Sequence, residues 1–207
     1  MKKNIYNPQS GDPRLKRPQP AFGEPRSEEK LIEEINETSG YDVFTLKSPR
    51  RLEGRIPAEN IHSVLSALRN NVGFEHLSAI SCVDWINVSE FELVYHLWSY
   101  RDNVLVSIKT RIARDPARMA TITDLWQTAA FFERDIYEMF GVIFDGNPNW
   151  DEKYILTDWE GPPPMRKDFV TRVFAHDHFK FRDYEPDWDE LIDGGYHGSR
   201  GEGGIDG

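Results

Sequence analysis

The sequence predicts an α+β fold, a two-layer α/β sandwich of helices laid on one sheet, with extended N- and C-terminal tails. Three observations predict it. Helical and strand periodicities follow one another in the order helix, two strands, helix, three strands, helix. Pro57 opens the clearest amphipathic helix, with Ile61, Val64, Leu65 and Leu68 along one side, which suits it to cover a sheet. From Val104 to Ile112 apolar residues alternate with Ser107, Lys109 and Arg111, so this strand has one buried face and one left to water or a partner. The 207 residues suffice for one ordinary domain plus tails, since domains centre near ~100–150 residues.

Taken in order, residues 1–26 hold Pro8, Pro13, Pro18, Pro20 and Pro25 among scattered charges and read as a tail, because they bury too little apolar area to offset chain entropy. The domain runs over 27–169. Ser27 is the N-cap of its first helix, Glu28 and Glu29 favour the positive end, and Leu31, Ile32 and Ile35 form the inner face up to Gly40. Short strands follow over Tyr41–Leu46 and Arg51–Ile56, with Pro49 in the turn. After the Pro57 helix, His76–Val88 and Phe91–Tyr100 read as strands, the second apolar on both faces as a central strand is. Arg101, Asp102 and Asn103 supply a turn before the alternating strand. A last helix carries Leu125, Ala129, Phe132, Ile136, Met139 and Phe140 at steps of three and four and is stopped by Gly141. Residues 170–207 change character: Val170–Tyr184 is aromatic and basic without a sustained period, and the rest is acidic, then rich in glycine. This suits a tail that wraps a neighbour.

Composition excludes several classes of function. A formal net charge of −10 argues against nucleic acid, which needs a basic face. No run of about 18 apolar residues exists, so membrane association is expected only through partners. Cys82 is the single cysteine, which rules out an internal disulfide and a four-thiolate cluster ligated by this chain alone. The glycine-rich phosphate loops of nucleotide-binding folds are absent.

The stretch 121–168 is the most informative. After the helix come Gly146, Pro148, Gly161, the stiff run Pro162, Pro163, Pro164 and the charged cluster Arg166, Lys167, Asp168. The runs Asp124-Leu125-Trp126, Glu133-Arg134-Asp135-Ile136-Tyr137-Glu138-Met139-Phe140-Gly141-Val142, Phe144-Asp145-Gly146, Asp158-Trp159-Glu160-Gly161 and Arg166-Lys167-Asp168-Phe169 closely resemble the C-type, or 30 kDa, subunit family of proton-pumping NADH:quinone oxidoreductase, respiratory complex I. Leu77 to Arg111 is similar too, so the likeness covers roughly residues 52–170. Glu133-Arg134-Asp135 stands where the family has Glu-Arg-Glu, Asn147 stands at its usual histidine, and Tyr154-Ile155-Leu156 follows a small insertion.

The resemblance implies a mixed sheet and a non-catalytic core subunit of the peripheral arm of an enzyme coupling NADH-to-quinone electron transfer to proton translocation. FMN, iron–sulfur clusters and quinone are then expected in partner subunits and no cofactor in this chain. The implied partners are chiefly the 49 kDa, or D-type, subunit, then the B-type and I-type subunits, with the complex on the cytoplasmic side of the inner membrane. The alternative is an equivalent subunit of a related membrane-bound hydrogenase or of a ferredoxin- or F420-linked oxidoreductase.

Each candidate residue has two readings. Glu133, Asp135 and Glu138 could form an acid/base group, since neighbouring carboxylates perturb one another, or an exposed polar side in which Arg134 pairs with Glu138 at i,i+4. The resemblance tips Glu133, Arg134, Asp135 and Glu138 towards a subunit interface, and Arg166, Lys167 and Asp168 with them. His176 and His178 form a His-x-His pair that lacks a third ligand at a recognisable spacing, so a metal site is not expected. Cys82 lies among Ile80, Val83 and Trp85 and reads as a small hydrophobe. Trp85, Trp98, Trp126 and Tyr137 suit the core better than a quinone pocket.

Overall fold

A computed structural model describes residues 24–178. The chain divides into one unit through Phe169 and a second from Val170. Of the proposed tails, 1–26 and 170–207, residues 1–23 and 179–207 lie outside the described residues.

Helix α1 spans Glu28–Ser39; Ser27 accepts the Lys30 N–H, and Gly40 closes the helix at φ 75°. Its buried residues, Leu31 and Ile35, lie one turn apart as the spacing demands. Arg26 is no part of a loose tail. Its guanidinium donates to Asp102 at 2.6 Å and 3.2 Å and to the Val72 carbonyl at 2.7 Å, and it also pairs with Glu34. Asp102 therefore does more than turn the chain: its side chain has no exposed surface and it anchors the start of the domain to the end of the sheet.

Strand β1 is Thr45–Ser48, later than expected, because Phe44 turns inward and occupies the space left by Gly54. A Cβ on Gly54 would sit 2.5 Å from the Phe44 ring. Strand β2, Arg51–Arg55, leads through a single 3-10 turn into α2, Ile61–Ala67. The helix then widens into a π turn, Leu68–Val72, which buries Leu68 and Val72 together before Gly73 ends it at φ 95°. Strands β3, His76–Trp85, β4, Glu90–Ser99, and β5, Val104–Ala113, complete a sheet of order β1-β2-β5-β4-β3. It is mixed: β2 and β5 run parallel and the other pairs antiparallel. β3 ends at Trp85 rather than Val88, where a 3-10 turn begins.

Strand parity divides the sheet. Phe91, Leu93, Tyr95 and Leu97 on β4 and Val104, Val106 and Ile108 on β5 join the helices in one core. α3, Ala129–Phe140, packs on β3, and its Phe140 ring meets Phe91 edge-on. Leu125, expected in this helix, lies in the turn before it. Short strands β6, Arg118–Ala120, and β7, Ile143–Asp145, pair in parallel beside α3.

In the second unit, the segment without a clear period contains α4, Thr171–His178. Phe174 stacks on His178 one turn later at 3.9 Å, a helical i,i+4 contact between two rings that linear pattern counting passes over.

Candidate functional site

The α3 charges act on the loops around them. Glu133 is 1% exposed. It accepts the Thr121 hydroxyl at 2.6 Å, the Ile122 N–H at 2.9 Å and the Asn147 side-chain amide at 2.9 Å. Burial nevertheless raises its pKa above the usual carboxylate range, with the three donors opposing. One carboxylate thereby ties the segments following β6 and β7 to the helix. Asn147 supplies a neutral donor and also reaches the Ala130 carbonyl.

The exposed Arg134–Glu138 pair is not formed. Both side chains reach instead for the backbone of 152–156, whose groups have no secondary structure to satisfy them. Arg134 donates to the Glu152 and Lys153 carbonyls at 3.2–3.3 Å and lies 5.0 Å over the Tyr154 ring. Glu138 accepts three consecutive N–H groups: Tyr154, Ile155 at 2.8 Å and Leu156 at 3.1 Å. Successive amides around one carboxylate form an anion nest. Asp135 is half-buried, and burial together with the Glu138 charge pushes its pKa up.

The cluster after the triple proline closes the far end of α3. Arg166 Nε donates 2.6 Å to the Phe140 carbonyl, where a cation also meets the negative helix end, and its guanidinium lies 5.4 Å over Phe91. Gly141 takes φ 77°, and a Cβ there would come within 2.9 Å of Arg166 Nη2 and 3.1 Å of Pro163. The Lys167 N–H donates to Asp84 at 2.8 Å, while its ammonium lies 5.9 Å over the exposed ring of Trp85. Arg114 holds Asp84 through two bonds of 2.9 and 3.0 Å and reaches Asp168 at 2.7 Å. That contact lowers the Asp168 pKa and raises that of Arg114.

Of the seven residues singled out from the sequence, Glu133, Arg134 and Glu138 brace the side of α3 and Arg166, Lys167 and Asp168 its C-terminal end, while Asp135 rides half-buried on the same helix. Three others belong to the same braces and were missed: Asp84, Arg114 and Asn147. Asp84 had a signal, since it shares the core parity of Ile80 and Cys82 on β3. Arg114, just past its strand, had none.

Between α3 and the 151–163 loop lies a cleft of about 410 Å³, lined by Tyr137, Glu138, Lys153, Trp159 and Pro163 among others. Of the aromatic set, Trp126 is buried and donates its indole N–H to the Glu75 carbonyl at 2.8 Å; Tyr137 meets Trp150 edge-on at the cleft. Trp98 is half-buried, and Trp85 departs from expectation, being 41% exposed. Cys82 packs against the core, where burial pushes its thiol up to about 12, so it is protonated at neutral pH. His176 contacts Asp177 at 3.2 Å and His178 donates to the Phe174 carbonyl at 2.9 Å; two residues apart on a helix, they face different ways. Among the described residues no three His, Cys, Asp or Glu side chains are grouped to hold a metal, and no helix is long and apolar enough to cross a membrane.

This chain has recognisable relatives. The second C-type subunit of the NADH-quinone oxidoreductase of Rhizobium etli is 34% identical over 146 residues, 69% of this chain and 72% of that protein. The C/D subunit of the NADH-quinone oxidoreductase of Acidiphilium cryptum is 30% identical over 162 residues, 71% of this chain but 27% of that longer one. Among solved structures, a chain of the membrane-bound sulfane sulfur reductase, an archaeal respiratory membrane complex, superposes with a TM-score of 0.70 at 36% identity, covering 75% of this chain and 93% of its own. The family model of the 30 kDa subunit of respiratory-chain NADH dehydrogenase matches residues 55–174, which takes in the whole sheet from the end of β2 onwards, α3 and both of its braces. The chain belongs to that 30 kDa subunit family.

Proposed function

We propose that this chain is a non-catalytic core subunit of the peripheral arm of a complex I-type NADH:quinone oxidoreductase, held against the large subunit of the D type and supporting its assembly. One observation carries the reading: in the Acidiphilium cryptum relative, the C and D designations belong to one polypeptide. Fusion keeps two parts at high effective concentration and suits partners that work in contact. The braces around α3 agree with such a role, because their charges serve to stiffen loops and to hold a surface in shape. Asp135 and the Lys167 side chain remain available for direct contact, while Glu133, Arg134, Glu138, Arg166 and Asp168 position the surface. FMN, iron–sulfur clusters and quinone belong to neighbouring subunits, those of the B and I types adjoining after the D type. The complex sits on the cytoplasmic side of the inner membrane.

The test is isolation of the tagged chain from its host under native conditions, with identification of the co-purifying subunits and assay of NADH:quinone turnover. A large D-type subunit, flavin, iron and NADH-dependent turnover are expected in the eluate. Flavin, iron or NADH oxidation in the purified chain alone would overturn the reading. A second reading, membership of a reductase or F420-linked complex that takes electrons from a donor other than NADH, is favoured by the similarity to the sulfane sulfur reductase chain. Electron-input subunits that do not bind NADH would select it.

A further inference from the structure

Among the described residues of the first unit, helices α1, α2 and α3 all pack into the core on one face of the sheet. On the other, strand parity places Ser81, Val83 and Trp85 of β3 beside Glu92 and His96 of β4, then Ser107, Lys109 and Arg111 of β5 and Arg51, Glu53 and Arg55 of β2. This face differs in charge from the rest of the chain. Its cations are Arg51, Arg55, Lys109 and Arg111, joined by Lys47, which reaches Glu53, and Lys167, which reaches Trp85. Its carboxylates are Glu53, Glu90 and Glu92. Six cations against three anions leave +3 here, on a chain whose formal net charge is −10, so the remainder carries −13.

The carboxylates are shared among several cations. Glu92 accepts from Arg55 at 2.7 Å and from Arg111 at 3.3 Å, and Arg111 also holds Glu90 at 3.0 Å. Glu53 serves Lys109 at 2.8 Å and Lys47 at 3.3 Å. Arg51 has no carboxylate partner among the described residues. The networks hold the cations in place without cancelling them. Among them stands Trp85, with Arg111 5.3 Å and Lys167 5.9 Å from its ring centre. A large exposed ring flanked by arginine is the side-chain chemistry of an interface hot spot.

We infer that this open sheet face, with Trp85 among its cations, is the docking surface for an acidic surface of the large subunit. The inference rests on the functional reading above and adds to the α3 contacts named there a second contact surface, on the opposite side of the sheet. A protein fits better than an anionic lipid surface or a nucleic acid, because the carboxylates set among the cations and the −13 elsewhere repel a uniform polyanion, whereas a protein surface can place its own charges to match. A second copy of this chain is the competing acidic protein.

The test uses the full chain in its native complex, with two variants. One combines Arg51→Glu with Trp85→Ala. The other carries a photo-crosslinking residue at Ser81, with the same residue at Glu29 on α1 as control. Recovery of the large subunit with the double variant is expected to fall about tenfold or more, with the loss deepening as salt is raised towards ~0.3 M, while the melting temperature of the isolated chain stays within a few degrees of wild type. Ser81 adducts are expected on an Asp- and Glu-rich peptide of the large subunit, and none from Glu29. Equal recovery of the large subunit with wild type and double variant would overturn the inference alone. Its absence from both would overturn the functional reading and the inference with it. Ser81 adducts to a second copy, or variant-sensitive binding of the chain to phosphatidylglycerol vesicles, would also overturn the inference.

Discussion

The two faces of the sheet handle charge in opposite ways. On the core side, Asp84 sits at β-strand parity with Ile80 and Cys82, is 2% exposed, and has its oxygens taken by Arg114 and the Lys167 N–H. Glu133, brought in from α3, is likewise enclosed by three donors. On the open side Glu92 is buried beneath Arg55 and Arg111, but Glu53 is shared between two lysines, and Arg51 and Trp85 face outwards. A buried carboxylate is tolerated only when its donors are fixed, so each one pins the loops that supply them. A charge on a wet face pins little and remains available for recognition.

The contrast is sharpest at Asp84. Replacing it with Ala leaves Arg114 with Asp168 as its one remaining carboxylate and the Lys167 N–H without its acceptor, and should cost about 3 kcal/mol, towards the lower end of the penalty for breaking a buried pair. Denaturant unfolding measures it, and a loss below about 1 kcal/mol would remove the distinction between the faces. Glu133→Ala follows, at about 2–3 kcal/mol, because Thr121, Ile122 and Asn147 lose an acceptor together. Glu133→Gln should cost more at low pH than at high pH. The pKa of Glu133 is raised by folding, so the native state holds the proton more tightly, and wild-type stability falls as pH rises through the interval above the ordinary carboxylate value. The neutral amide lacks this slope, which a series of unfolding midpoints against pH would reveal.

Next in size is Gly141→Ala, at about 1–2 kcal/mol, from the φ of 77° and the 2.9 Å approach to Arg166. Partial recovery with Arg166→Ala would show that the approach, and not φ alone, is responsible. Asp102 gives a pH-gated effect of comparable size. Burial opposes ionisation there, but the bonds from Arg26 and Ser99 win and hold its pKa at about 2. A lowered pKa contributes stability that is fully present above the unfolded value of ~3.9 and is lost as pH falls towards 2. Wild type and Asp102→Asn should therefore differ at neutral pH and converge in acid.

Much of this was readable from residues. The α1 cap and stop, the inner face of α2 and the alternation of β5 followed from local chemistry that tertiary contacts did not override. Phe44 and the π turn did not, because each depends on a space created by a distant residue or by the next element. At the site, Glu133 could have been placed better. It lies four residues after Ala129 and three before Ile136, on the buried stripe of α3, but its neighbours Arg134 and Asp135 make the segment look like a polar side. The targets of Arg134 and Glu138 were out of reach, since backbone groups of an irregular loop leave no mark in the sequence.

The smallest expected effect on folding is the most informative about function. Arg51→Glu alone places an acid on the open face at a position with no carboxylate partner among the described residues, and exposed substitutions of this kind stay within about 0.5 kcal/mol. Near-normal unfolding together with weakened capture of the large subunit, more severe than for Glu29→Lys on α1, would place recognition on the uncovered face. A loss of stability as large as that of Asp84→Ala would mean that the open face, too, spends its charges on holding the fold.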